Sequence, residues 1–141
     1  MNLYKLYQII RRFEGCVLIP YQDSGGIWTC GWGSTGWDVI PGKPWSQEYA
    51  DKRLEQDATR FAAQVMRICP NSNSNQLIAL CDFAYNVGIN NLRASTLLRK
   101  FRSGDVNGAA VEIMKWVHCR GKVLPGLVRR RAAEKLLLTG E

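Results

Sequence analysis

The chain has 141 residues, of which 46% are hydrophobic and 22% charged, a composition typical of one globular domain and unlike that of a disordered protein. The formal net charge of +7 favours a polyanionic partner, such as nucleic acid, an anionic membrane surface or an acidic cell-wall polymer. Lys5 interrupts the first apolar segment, and no apolar run reaches about 18 residues. We therefore expect neither a signal peptide nor a stable membrane anchor.

The first predicted elements are a helix and a β-hairpin lobe. Apolar residues at helical spacing predict a helix over residues 2–14, which ends at Gly15. Glu14 would lie at the negative end of the helix dipole beside apolar neighbours, which should raise its pKa. Glycines then interrupt short strand-like runs and predict a small β-hairpin lobe over about 16–42.

The rest of the chain is predicted to be helical. A connecting helix is expected over about 46–68, with Ser46 as its N-cap and Pro70 beyond its end. A helical lobe follows over about 74–138, with predicted helices at 74–87, 95–101, 105 to about 116–118, and 125–138. The fold class is therefore α+β: one domain over residues 1–141, with a cleft between a small β-hairpin lobe and a larger, mainly helical lobe.

The cysteines predict neither a metal site nor a set of disulfides. They follow no metal-ligand spacing, and an odd number cannot all pair within one chain. Most have apolar neighbours, which favours buried thiols in a reducing compartment. We expect no metal and no cofactor. The five residues are Cys16, Cys30, Cys69, Cys81 and Cys119.

Three residues near the first helix suit the cleavage of a glycosidic bond. This chemistry needs one carboxyl group that stays protonated and a second that stays ionised. Glu14, at the end of an apolar helix, meets the first need, and Asp23, in the polar turn YQDSGG, meets the second. A hairpin that folds back would bring the Thr29 hydroxyl towards Asp23 to hold a water. The same spacing also fits two solvated surface carboxylates, so the pattern alone leaves both interpretations open.

Candidate substrate contacts lie in the hairpin lobe and in the segment FAYNVG. Glycines would let a sugar approach the backbone, and indoles offer flat apolar faces for stacking, although turns and lobe core explain the same residues. In FAYNVG the aromatic residues favour the core, while the polar end would border the cleft. The candidate substrate-binding residues are Trp28, Gly31, Trp32, Gly33, Tyr85 and Asn86.

Several segments in order along nearly the whole chain resemble the phage-type lysozymes of glycoside hydrolase family 24. They are FEG, TCGWGS, ALCDFAYNVG, STLLRKFRSGD and PGLVRRRAAEKLLL. The resemblance implies a lysozyme-like domain that hydrolyses the β-1,4 bond between N-acetylmuramic acid and N-acetylglucosamine in peptidoglycan. By position, Glu14 is similar to the general acid of the family and Asp23 to its second catalytic carboxylate. Thr29 is similar to the residue that helps to place the attacking water.

The resemblance also implies supporting residues. Ser34, a supporting residue, stands where the family commonly has a histidine that holds the β-lobe in place, so this departure concerns a structural role and not the chemistry. Arg130 and Arg131 occupy the paired-arginine positions of the family. A basic residue near Glu14 would lower its pKa, whereas a solvated helix face explains the two arginines equally well. His118, the only histidine, matches no catalytic position and is predicted to lie in a helix.

The favoured function is that of a phage or prophage endolysin. We expect a monomer that is made in the host cytoplasm and acts on the cell wall in the periplasm, after a holin-type membrane pore gives it access to peptidoglycan. The alternatives are a catalytically silent peptidoglycan-binding module and a lytic transglycosylase. Nucleic acid is not an expected partner, because basic residues are not interleaved with aromatic residues on one helix or strand.

Overall fold

A computed structural model describes residues 2–140 and confirms the predicted α+β architecture. Within that range the chain forms seven α-helices and two antiparallel hairpins. No described helix has the combination of length and apolar character that crossing a lipid bilayer requires. In chain order the elements are α1 (Leu3–Glu14), β1 (Val17–Gln22), β2 (Trp28–Gly31), α2 (Gln47–Ile68), α3 (Ser74–Val87), α4 (Ile89–Ala94), α5 (Thr96–Arg102), α6 (Val106–Ile113), β3 (His118–Cys119), β4 (Lys122–Val123) and α7 (Pro125–Thr139).

Helix α1 has defined signals at both ends, and these make Glu14 its last residue. The Asn2 side chain caps the first turn of the helix by accepting hydrogen bonds from two backbone amides of that turn. Leu6 and Ile10, one turn apart, are fully buried against the helical core. At the other end Gly15 adopts a φ of 66°, which ends the helix as predicted.

The main core is built around α3. All eight residues from Leu77 to Ala84 are buried, which is typical of a helix at the centre of a core. Helices α1, α2 and α7 pack against it. Asp82 is the one charged residue in this buried stretch, so it must find partners inside the core. The next two residues, Tyr85 and Asn86, lie at the end of α3, where the helix reaches the cleft.

The hairpin lobe has its own small core and a fixed register. Tyr21 pairs with Thr29, and an irregularity in β1 shifts the register before the pairing at Gly31. Gly31 has a φ of +66°, and a Cβ built on it would lie 3.1 Å from the Trp45 ring and 3.2 Å from the Ala50 Cβ. Gly31 therefore makes room for the core of the lobe, and its role of letting a sugar approach the backbone stays a prediction.

The segment after α6 differs from its prediction. The helix ends at Ile113, and the chain turns through i→i+3 hydrogen bonds instead of continuing to about Trp116–His118. His118 lies in β3, so its predicted helical position is wrong. Arg120 and Gly121 form the two-residue turn to β4 with φ values of 51° and 77°, as in a type I′ hairpin turn.

Gly31→Ala should destabilise the protein more than Gly26→Ala. Both glycines have positive φ, so both variants carry backbone strain of roughly 1–2 kcal/mol. Only the methyl group at 31 also meets packed side chains, which should add about 1–3 kcal/mol, because a Cβ at 26 would have nothing within 4 Å. Urea unfolding of the two variants measures the difference. Equal losses in the free energy of unfolding would contradict the packing role of Gly31.

Candidate active site

A cleft between the hairpin lobe and the helices brings together six of the predicted site residues. It encloses about 460 Å³, a volume within the usual range for ligand sites. Carboxyl, hydroxyl and amide groups share its lining with the aromatic faces of Phe61 and Tyr21. The predicted residues in the lining are Glu14, Asp23, Thr29, Gly33, Tyr85 and Asn86.

Glu14 reaches the cleft from the C-terminal end of α1 as a mostly buried acid. Its side chain is only 19% exposed. Burial raises the pKa of Glu14 above its ordinary value of 4.5, although hydrogen bonding and the positive charge of Arg130 act in the opposite direction. The direction predicted from the sequence is therefore confirmed. An acid of this kind keeps its proton to higher pH than an exposed glutamate.

Gly33 lies directly against this acid. A Cβ built on Gly33 would come within 2.7 Å of Glu14 Oε1 and 3.5 Å of the Tyr85 ring, and its φ is +90°. The absence of a side chain at 33 thus gives space to the Glu14 carboxyl. The sequence predicted that a sugar would approach the backbone at Gly33. In the structure the group that lies close to this glycine is the Glu14 carboxyl.

The turn of the first hairpin fixes one oxygen of Asp23. Asp23 Oδ1 accepts from the backbone amides of Gly25 at 2.8 Å and Ile27 at 2.9 Å. These two bonds orient the carboxylate within the turn DSGG. Asp23 Oδ2 has no hydrogen-bond donor among the described residues 2–140, so this oxygen is available to a water or a sugar.

Thr29 lies across the hairpin from Tyr21, with its side chain buried beside the cleft. Its hydroxyl donates to the carbonyl of Ile27 at 2.9 Å, and not to Asp23. The lone pairs of the hydroxyl oxygen can therefore accept a hydrogen bond from a water in the cleft. The hairpin does fold back, as the sequence predicted, and Thr29 enters the cleft as an acceptor.

Arg130 of α7 joins the Glu14 carboxyl to the core. Its guanidinium donates to Glu14 Oε2 at 2.5 Å and to both oxygens of Asp82 at 2.9 Å. Arg130 is 3% exposed and Asp82 is fully buried, so the interpretation of Arg130 as a solvated helix residue is wrong. Asp82 was missed because the sequence segment ALCDFA indicates only an apolar core helix.

Arg131 is also buried, and it orients Asn86, a residue of the cleft lining, by a hydrogen bond. Its Nη2 donates to Asn86 Oδ1 at 2.5 Å, and its guanidinium lies 4.9 Å from the centre of the Phe83 ring. Its Nε lies 2.9 Å from Glu134 Oε1, and burial raises the pKa of Glu134. With its oxygen held in this way, Asn86 presents an amide nitrogen that has no acceptor among residues 2–140. The solvated interpretation is wrong for Arg131 too.

Ser34 belongs to a polar network that joins the hairpin lobe to α2. Its hydroxyl donates to Asp57 Oδ2 at 2.6 Å, and Arg53 donates to the other oxygen of Asp57 at 2.5 Å. Arg53 also donates to both oxygens of Asp38 and to the carbonyl of Thr35. The hydrogen bond from Arg53 lowers the pKa of Asp38. This network fits the supporting role predicted for Ser34, and no sequence pattern pointed to Arg53.

Three predicted substrate-binding residues lie outside the cleft lining: Trp28, Gly31 and Trp32. Trp28 precedes Thr29 in β2, and successive strand residues point to opposite faces. The Trp32 indole donates to Asp51 Oδ1 at 2.8 Å and packs against the cores, while its carbonyl accepts from the Tyr85 hydroxyl at 2.7 Å. The sugar contacts predicted for these three residues stay predictions.

The thiols and potential metal ligands are dispersed. All five cysteines are free, and three of them are buried: Cys30, Cys69 and Cys81. Burial raises the pKa of the Cys81 thiol to about 12, which makes it unreactive at neutral pH. In the described range 2–140, no three metal-ligating side chains group together.

Comparison with known proteins identifies related sequences and structures. The Phage lysozyme family matches residues 11–134. The chain is 38% identical over 134 residues to an endolysin of Acyrthosiphon pisum secondary endosymbiont phage 1, with 92% of this chain and 91% of that protein covered. The muramidase domain of SpmX from Asticaccaulis excentricus has a TM-score of 0.84 at 32% identity, over 95% of this chain and 94% of that one. An endolysin from Escherichia coli O157:H7 phage FAHEc1 has a TM-score of 0.81 at 31% identity, over 98% and 93%.

Glu14→Gln should become increasingly stable relative to the parent protein as pH rises. The pKa of Glu14 is raised in the folded state. At a pH between 4.5 and this raised pKa, the folded protein therefore holds a proton on Glu14 that the unfolded protein has released. The stability of the parent therefore falls across this window, by at most about 1.4 kcal/mol per pH unit, and glutamine abolishes that fall. Urea unfolding of both proteins between about pH 4 and pH 8 measures the difference. A difference that does not change with pH would contradict the raised pKa.

Proposed function

This chain belongs to the phage lysozyme family, and we propose that Glu14, Asp23 and Thr29 form its catalytic site. As a member of that family it is a glycoside hydrolase of the lysozyme type, with the muramidase role of an endolysin in lysis and peptidoglycan as its substrate. The observation that carries the assignment is the buried Glu14 carboxyl, which faces a cleft shared with Asp23 and Thr29.

Glu14 is the general acid in this proposal. Breaking the bond between N-acetylmuramic acid and N-acetylglucosamine requires a proton on the departing glycosidic oxygen. The raised pKa of Glu14 makes its protonated form more abundant than that of an exposed glutamate at the same pH. After transfer, the hydrogen bond from Arg130 stabilises the Glu14 carboxylate. The acid is then ready to take up a proton from solvent for the next cycle.

Asp23 and Thr29 act at the anomeric carbon. With Oδ1 held by the turn, Asp23 presents Oδ2 as a fixed negative charge that stabilises the developing oxocarbenium ion or activates a water. The Thr29 oxygen accepts a hydrogen from the same water and so fixes its position. Attack by this water gives inversion, and attack by Asp23 itself gives retention. The anomer first formed, observed by NMR, distinguishes the two routes.

The cleft offers matched contacts for the glycan. The free amide nitrogen of Asn86 suits a sugar hydroxyl or an N-acetyl carbonyl, and its position is set by Arg131. Phe61 and Tyr85 pack against each other with ring centres 5.5 Å apart and present an apolar wall. These residues replace the tryptophans as the proposed sugar contacts.

We also propose the cellular setting that the sequence suggested. The enzyme is made in the host cytoplasm, works as a monomer, and reaches peptidoglycan through a holin-type pore. The similarity to an endolysin of a phage supports the setting of host lysis.

Glu14→Gln should remove a factor of roughly 10²–10⁴ or more from the rate of peptidoglycan cleavage while leaving the fold intact. Asp23→Asn should also lose most of its activity, and Thr29→Ala should cleave more slowly because the water is less well placed.

Mass spectrometry of the parent digest should show reducing muramic acid ends. Anhydro ends would instead identify a lytic transglycosylase, and near-normal turnover by Glu14→Gln would show that another group donates the proton.

Gly33→Ala should lose far more activity than Gly36→Ala. A methyl group at 33 would push the Glu14 carboxyl out of place, and a displacement of about 1 Å can cost roughly 10²-fold in rate. Gly36 also has positive φ, but the nearest atom to its built Cβ is 3.6 Å away, an ordinary contact with Arg53. Initial rates on purified peptidoglycan, together with circular dichroism of both variants, separate loss of placement from loss of fold. Similar rates for the two variants would contradict this account of Gly33.

A further inference from the structure

The second hairpin, formed by β3 and β4, contacts the turn of the first hairpin. Arg120, at the tip of the second hairpin, donates through Nη2 to the backbone carbonyl of Ser24 at 2.5 Å. The two residues are 96 positions apart, and Ser24 follows Asp23 in the turn that lines the cleft. Within residues 2–140, this is the only hydrogen bond that joins residues 23–27 to any part of the chain outside the first hairpin. We call this contact the Arg120 tether.

The second hairpin is itself fixed to the helical core. At its base the Trp116 ring packs edge-on against Phe83 of α3, with ring centres 5.3 Å apart. Val117 is buried, and its carbonyl accepts from the Leu124 amide at 2.9 Å. Helix α7, which carries Arg130, begins directly after Leu124. The Arg120 tether therefore joins the first turn to the same helices that hold the proposed general acid.

The backbone of Arg120 indicates that its side chain has a role beyond the turn. Arg120 has a φ of 51° and is the only residue other than glycine with a positive φ in the described range 2–140. The first position of a type I′ turn favours asparagine, aspartate or glycine. A long side chain at positive φ is unfavourable, and such outliers are found where the side chain serves a function. The hydrogen bond to Ser24 supplies that function here.

We propose that Arg120 is a positioning residue that holds the turn of Asp23 in place for catalysis. The proposal rests on the proposed function, in which Asp23 acts at the anomeric carbon. Asp23 Oδ1 is bonded to amides of its own turn, so the carboxylate moves with the turn. A two-stranded hairpin is only marginally stable by itself, so its tip needs an outside contact to keep one position. The Arg120 tether provides that contact and so sets the position of Asp23 relative to Glu14.

The variant Arg120→Asn tests this role. Its kcat on soluble glycan strands should fall about 3- to 10-fold with KM little changed, because a displaced Asp23 weakens an interaction made in the transition state. Its urea midpoint should stay at the parent value or rise, because asparagine suits the positive φ and the lost hydrogen bond is exposed. A merely structural residue would lower kcat and stability together.

Two control variants lie in the same hairpin. Lys122→Asn removes the same charge from an exposed position in β4 that makes no hydrogen bond to the first hairpin within residues 2–140, so it should keep the kcat of the parent. Arg120→Lys keeps a charged donor at the tip and should retain part of the lost activity. In an Asp23→Asn background, Arg120→Asn should cause no further loss of rate, since its effect acts through Asp23.

Amide exchange tests the Arg120 tether without turnover. The amides of Gly25 and Ile27 donate to Asp23 Oδ1. In Arg120→Asn they should exchange with solvent faster, by roughly 3-fold or more, and in Lys122→Asn they should not change. NMR of the full chain measures both rates.

The outcomes separate the Arg120 tether from the catalytic assignment. Unchanged exchange at both amides, or a lower urea midpoint with a matching loss of kcat, would overturn the proposal. Faster exchange with the kcat of the parent would also overturn it, because the turn would then move without affecting the reaction. In that case the rate of Asp23→Asn shows whether the assignment of Asp23 fails as well.

Discussion

The site depends on one buried arginine that holds two carboxyl groups from two other helices. Arg130 of α7 binds Glu14 at the end of α1 and Asp82 in the middle of α3, so three helices meet at one guanidinium. Removing one partner from a buried ion pair typically costs about 3–5 kcal/mol, because the other charge is left without compensation. Replacing Arg130 would therefore disturb both the position of the Glu14 carboxyl and the core around Asp82.

The same contact explains how the pKa of an acid beside an arginine can be raised. A lone guanidinium next to Glu14 would lower the pKa of the carboxyl. Here Asp82 occupies two of the donors of Arg130 and offsets its charge, so the burial of Glu14 prevails and its pKa is raised. Arg130 still donates one hydrogen bond to Glu14, which orients the carboxyl. Asp82 thus acts on the acid from inside the core without touching the substrate.

The sequence predicted the features that local pattern encodes and missed those that distant contacts create. Helical periodicity and cap residues gave α1, the long α2 from its cap at Ser46, and α3 almost to the residue. Helix α4 has six residues, too few to show a period, and was not predicted. The partners Asp82 and Arg53 were missed because nothing near them in sequence shows which charge they meet. Glu14 and Arg130 are 116 positions apart, and only a family resemblance linked them to one site.

The two glycines of the segment CGWGS show why the environment of a site cannot be predicted in full from the sequence pattern. Both have positive φ and stand two residues apart, yet one makes room for Trp45 in the lobe core and the other for the Glu14 carboxyl. What a missing side chain makes space for depends on how the lobe is placed against α1 and α2. That placement is held by hydrogen bonds between lobe and helix, from Ser34 to Asp57 and from Arg53 to Asp38 and the Thr35 carbonyl. The environment of Glu14 is thus set by an interface that forms only when both parts have folded.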